Sequence, residues 1–152
     1  MKHTNKLFLL AIFFLTIHFQ ILAQIASGTV YLDVNGNGKR DRNEKGIKNV
    51  PVSNGRDIVL TDINGKYSIP INEHDVIFVI KPSEYNLPVN KLNLPQFYYI
   101  HKPNGSPELK HKGSKPTGAL PKAIDFPLLP SNYAENFTIL AFGDPQPSDI
   151  IQ

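Results

Sequence analysis

Thirteen prolines and ten glycines spread through 152 residues leave this chain little room for a long helix. Proline removes a backbone donor and fixes φ, and glycine weakens the interior of any regular element. Together they favour short strands, tight turns and extended connections. The apolar residues agree. Candidate strands fall at 29–32, 50–52, 57–61, 66–71 and 76–80. Within them Val30 and Leu32 share one face, as do Ile58 and Leu60, and as do Tyr67, Ile69 and Ile71. That period of two is the sheet signal, and no window shows a 3.6-residue period. The segment 76–80 reads as a buried central strand. Short strands separated by frequent turns predict an all-β fold, an Ig-like or prealbumin-like β-sandwich.

Nine of the thirteen prolines lie between 81 and 130, where strands are expected at 97–100 and 123–126. The connection between those two, 102–121, is polar and rich in Gly, Ser and Lys. A connection of that length is usually functional or mobile. The stretch 137–142 is nearly all apolar and resembles a strand covered on both faces, as in a parallel sheet.

The N-terminus reads as an export signal. Lys2 and Lys6 precede an unbroken apolar run over 7–15, and a small residue, Ala23, follows a more polar tail. Nine apolar residues fall well short of the roughly 20 needed to span a bilayer. Cleavage near Ala23 would deliver a mature chain without a membrane anchor to the periplasm, the cell surface or the medium. The organisation expected is a signal peptide over 1–23, a β-sandwich over 24–82, its Pro-rich continuation over 83–135, and the start of a further domain over 136–152. Without the two leader lysines, 14 Lys and Arg face 13 Asp and Glu, so no basic excess argues for nucleic acid. The chain has no cysteine, which excludes disulfides, a zinc ribbon and a lipid-anchoring cysteine.

The strongest motif begins at Asp33. Asp33, Asn35, Asn37, Gly38 and Glu44 fit the loop pattern D-x-[DN]-x-[DN]-G-x5-E without exception. Calcium is a hard cation that takes about seven oxygens at roughly 2.4 Å. In such a loop Asp33, Asn35 and Asn37 supply side-chain oxygens and Lys39 its backbone carbonyl. Asp41 binds directly or through water, and Glu44 closes the shell. The competing reading is a polar turn with two Asn-Gly steps and no metal. The flanks are strand-like and argue against a helix–loop–helix hand. A second Asn-Gly turn at 61–67 reads as a hairpin between the third and fourth strands. His74, His101 and His111 sit in polar text and read as solvated surface residues.

From Gly28 to Tyr67 the pattern G-x-V-Y-x-D-x-N-x-N-G-x-x-D-x-x-E-x-G-I, followed by V-x-V-S-N-G and T-D-x-N-G-K-Y, resembles the SdrD-B-like and Cna-B-like modules of exported bacterial proteins. With the 97–103 and 120–128 stretches and the ending at 139–146, it resembles more closely the N-terminal domain of secreted calcineurin-like metallophosphoesterases. The resemblance implies a phosphoesterase domain in cis. It also implies that Asp144 and Gln146, after the first strand of that domain, are ligands of a two-metal hydrolytic centre. The further ligands such a centre needs do not follow, since the sequence ends six residues after Gln146. Transition metals are therefore expected only together with the rest of that domain. The chain is expected to be a non-catalytic accessory domain holding structural calcium. The alternative is a free-standing calcium-stabilised adhesin or stalk, or a glycan-binding module using Tyr85, Phe97, Tyr98 and Tyr99, with a glycan or cell-surface partner.

Overall fold

The computed structural model describes residues 24–108 and 110–131, with Asn136, Thr138 and Ala141. The leader, the expected strand at 137–142, Asp144 and Gln146 lie outside the described residues. Eight strands and no helix are found among them: β1 Gln24–Leu32, β2 Pro51–Ser53, β3 Ile58–Leu60, β4 Lys66–Ile71, β5 Val76–Val79, β6 Tyr85–Asn86, β7 Tyr98–Ile100 and β8 Phe126–Pro130. They form two four-stranded sheets, ordered β4-β1-β8-β6 and β3-β2-β5-β7. The architecture is the β-sandwich that the alternation predicts.

One face of each sheet is apolar, and the two faces meet. In β4 the inward Tyr67, Ile69 and Ile71 alternate with exposed Lys66, Ser68 and Pro70. Across the layer lie Val52, Ile77 and Val79, all buried. Each fully buried aliphatic side chain contributes roughly 1.5–3 kcal/mol, so this set is the main driving force for closure. Tyr67 adds a polar tie: its hydroxyl donates to the Ile124 carbonyl at 2.7 Å. Burial, with the charge of Asp125 behind it, pushes that phenol far above its ordinary pKa, so it remains a donor.

Every pair of strands is antiparallel except one. β1 runs parallel to β8, with Val30 opposite Phe126 and Leu32 opposite Leu128. The two strands therefore end at the same pole of the sandwich, which we call the exit end because the described chain leaves β8 there. The Asp33 amide donates to the Leu128 carbonyl at 2.9 Å and fastens the 33–44 loop to that pole. The turn before β4 lies there too, since Lys66 opposes Thr29. The 102–121 connection, which runs from the end of β7 to the start of β8, emerges at the opposite pole. It is stitched across its base, with the Thr117 amide on the Lys102 carbonyl at 3.0 Å and the Ser106 amide on the Ser114 carbonyl at 2.9 Å.

Several expectations are corrected. β8 begins where the 123–126 strand was expected to end, because inward Ile124, Phe126 and Leu128 keep the period of two straight through Pro127. The Ile124 amide donates to Ser27 of β1, so alternate amides face β1 and Pro127 has no bond to lose on that side. β6 was not anticipated. β5 is interior to its sheet but only half covered, with Ile77 and Val79 buried and Val76 and Phe78 partly exposed. The Asn64-Gly65 turn does not close a hairpin; it carries the chain from one sheet to the other, since β3 pairs with β2 and β4 with β1. His101 is buried, not solvated, because Phe97, Tyr99 and His101 continue the inward face of β7. His74 and His111 are exposed.

At the far pole Arg56 and Asp75 form a two-pronged ion pair, with N–O distances of 2.8 and 2.7 Å. The hydrogen-bonded Arg56 guanidinium holds the Asp75 carboxyl below its usual range. A depressed folded-state pKa contributes stability above the unfolded pKa, and that contribution is lost as pH falls through the folded value. Arg56→Ala should therefore weaken the fold at neutral pH and make its stability less sensitive to acid. Urea midpoints measured from pH 7 to pH 2 check this; parallel curves for the two proteins would contradict it.

Candidate cation-binding loop

The 33–44 loop leaves β1 at Leu32 and is closed from behind by Gly46, which bridges Tyr31, and by the Leu32 amide on the Lys45 carbonyl. Within it one carboxylate organises the backbone. Asp33 is fully buried. Its Oδ1 accepts the amides of Gly36 at 2.7 Å and Asn37 at 3.2 Å, and its Oδ2 accepts that of Gly38 at 2.7 Å. Gly36 and Gly38 take φ of 69° and 71°, the left-handed region that glycine tolerates.

Glu44 is also buried and spans the loop. Its Oε1 accepts the Val34 amide at 2.9 Å and its Oε2 the Asp41 amide at 3.0 Å. Asn35 and Asn37 accept the amides of Asn37 and Lys39, and both side-chain amides donate to Asp41 Oδ2, at 2.8 and 2.9 Å. The pattern thus brings Asn35, Asn37 and Asp41 to one point at the loop's open side, with Asp33 and Glu44 beneath.

Tyr31 reports the charge of this region. It is buried in β1, and its phenol is pushed up to about 12 by burial first, then by Asp33, Glu44, Asp125 and Asp41. No lysine or arginine forms an ion pair with these carboxylates among the described residues, where Arg56–Asp75 is the pair present.

The donor chemistry fits a hard cation, since the pattern offers carboxylate, amide and carbonyl oxygen and no sulfur or imidazole. Among the described residues no group of three or more His, Cys, Asp or Glu converges closely enough to hold a metal. Such a grouping leaves out amide oxygens, which the pattern uses at Asn35 and Asn37. Cation binding here would turn those two amides so that oxygen, not nitrogen, faces the centre. Two residues sit differently from the sequence expectation: Tyr99, considered for stacking on sugars, and His101, read as solvated, lie inward side by side. The Tyr99 hydroxyl and His101 Nδ1 are buried with no hydrogen-bond partner among the described residues, and their rings stack at 6.2 Å. Alternation from Phe97 was the signal that could have found them.

The four aromatics considered for stacking on sugars do not form one platform. Tyr85, Phe97 and Tyr99 pack against the core, while Tyr98 is half exposed on the other face. A shallow cleft at the free edge of β7 is lined by Gln96, Tyr98, Tyr99 and Asp125. Asp125 is already engaged there, accepting the Thr29 amide at 2.7 Å.

A family model described as the N terminal of calcineurin-like phosphoesterase matches residues 34–112. The chain belongs to that family. The match begins inside the 33–44 loop and includes β2 to β7. β1 and β8 lie outside it, yet they form the inner pair of one sheet. The calcineurin-like phosphoesterase N-terminal domain therefore closes only with residues on both sides of the matched range. Membership implies a catalytic phosphoesterase domain in cis. No curated protein matches the chain. Among the described residues no helix is long and apolar enough to cross a membrane.

Proposed function

We propose that this domain is the exported, non-catalytic partner of a calcineurin-like phosphoesterase, stiffened by calcium in the 33–44 loop. The observation that carries the reading is the family match over residues 34–112. Export is supported by the basic, apolar and small-residue order of the first 23 residues. Outside the cytoplasm calcium is plentiful, which suits a loop built for weak to moderate affinity. In this reading Asp33, Asn35, Asn37, Lys39 (through its carbonyl), Asp41 and Glu44 hold the ion. Asp144 and Gln146 belong to the hydrolytic centre of the following domain, where transition metals would bind.

Two measurements test it. The purified chain should not turn over an aryl phosphate with manganese or zinc; turnover that survives repurification would overturn the division of labour. Terbium, which replaces calcium at oxygen sites, should show tyrosine-sensitised emission, because Tyr31 lies beside the loop. Tyr31→Phe should remove most of that emission, and calcium should compete it away. Terbium that stays dark in the native protein would remove the calcium assignment.

A further inference from the structure

Large apolar side chains stand exposed at the exit end, as they do on the 89–94 turn with Val89, Leu92 and Leu94. Val34 is 66% exposed and Ile63 71% exposed. Val34 follows Asp33, whose amide is bonded to Leu128 of the last strand, two residues before Pro130. Ile63 lies against the same loop, sharing a cleft with Arg40, Glu44, Lys45 and Gly46. The adjoining edge of the second sheet adds Leu60 and Ile80, 60% and 41% exposed. They flank Pro51 in one row, since Leu60 opposes Pro51 and the Ile80 amide donates to the Pro51 carbonyl at 2.9 Å. Around this patch stand exposed Lys39, Arg40, Arg42 and Lys45.

An apolar centre with a charged rim is the anatomy of an interface. The course of the chain names the occupant. β8 delivers Pro130 to this pole, and the apolar stretch at 137–142 lies seven residues further on, a reach of at most about 25 Å. Whatever folds from that stretch onward starts within reach of Val34 and Ile63. The 102–121 connection leaves from the opposite pole, so it is not the element that meets the next domain.

We infer that the exit end, centred on Val34 and Ile63 with Leu60 and Ile80 beside them, is the docking surface for the phosphoesterase domain that follows. This rests on the accessory-domain reading and adds where the two domains meet. The 33–44 loop then forms part of the interdomain contact, and an ion in it would fix the angle between the domains.

Hydrogen–deuterium exchange tests it, comparing the 152-residue chain with the polypeptide in which the same domain runs on into its phosphoesterase domain. Amides at 34–36, 60–64 and 80–81 should exchange at least tenfold more slowly in the longer protein. Val34→Asp with Ile63→Asp should restore the faster exchange there. Both sites are exposed, so melting of the 152-residue double variant should match the parent and show that folding is intact. Protection confined to the 53–57 and 72–75 turns would overturn the docking surface while leaving the accessory reading in place. Protection at neither pole would overturn both.

Discussion

Asp33→Ala is expected to lower the melting temperature by about 15 °C in the absence of calcium. The carboxylate is fully buried and accepts three backbone amides. Removing it loses three hydrogen bonds to a charged acceptor, worth roughly 1.5–3 kcal/mol each before the exposed residues 36–38 rebond to water. The three are not independent, so we take about 3 kcal/mol in total. For a domain of this size each kcal/mol moves the melting temperature by roughly 4–8 °C. Asp33→Asn keeps one acceptor oxygen and should show about a third of the effect. Calcium supplies a second readout. At a concentration 10 to 100 times a Kd in the range of extracellular modules, mass action adds about 1.4–2.7 kcal/mol. The parent should then gain roughly 6–22 °C and Asp33→Ala nothing. If the parent melts identically in calcium and in chelator, while Asp33→Ala still melts low, the loop is a hydrogen-bonded staple that needs no ion.

Gly65→Ala should be more damaging still. Gly65 adopts φ of 76°, and its Cα faces the backbone of β1 and of the 46–47 segment. An added Cβ would overlap the Val30 carbonyl, and it would stand 2.6 Å from Gly46 Cα and 2.7 Å from the Ile47 nitrogen. None of these atoms is the end of a flexible side chain. The Val30 amide also donates to the Gly65 carbonyl, at 2.8 Å, so the turn cannot swing away without breaking the β1 edge. Positive φ alone costs an alanine about 1 kcal/mol, and the overlap adds several more. We expect little folded protein at 37 °C, seen as loss of the cooperative melt. Gly36→Ala is the control. It has the same handedness and open space around its Cα, so it should cost only about 1 kcal/mol.

Much of this fold could be read from the residues because one-sided strands announce themselves. Tyr67, Ile69 and Ile71 alternate with polar neighbours, and β4 spans the residues that the alternation marks. What escaped notice did so for physical reasons. β8 carries two prolines, which read as breakers, but its inward positions were intact and its bonds to β1 use the alternate amides. β6 is two residues long and has no period to detect. The Asn64-Gly65 turn shows the limit of local signals: dipeptide chemistry fixes a tight reversal, but not whether the strands it joins pair with each other. His101 sits where a strand pattern runs past the last apolar residue, and a polar name concealed an inward position. In the loop, the spacing from Asp33 to Glu44 singled out residues that hydrogen-bond one another across it. It did not tell that backbone amides would take up both buried carboxylates, because that depends on the path between them.

The parallel pairing of β1 with β8 bears on how the protein is made. β1 leaves the ribosome first, yet one of its two neighbours in the sheet is supplied by residues about a hundred positions later; the Thr29–Asp125 tie alone spans 96. Such long-range closure is entropically late and slow. On that account the nascent domain closes only once nearly all of it has been synthesised, and under the proposed export the delay would keep the polypeptide open enough to pass a translocation channel.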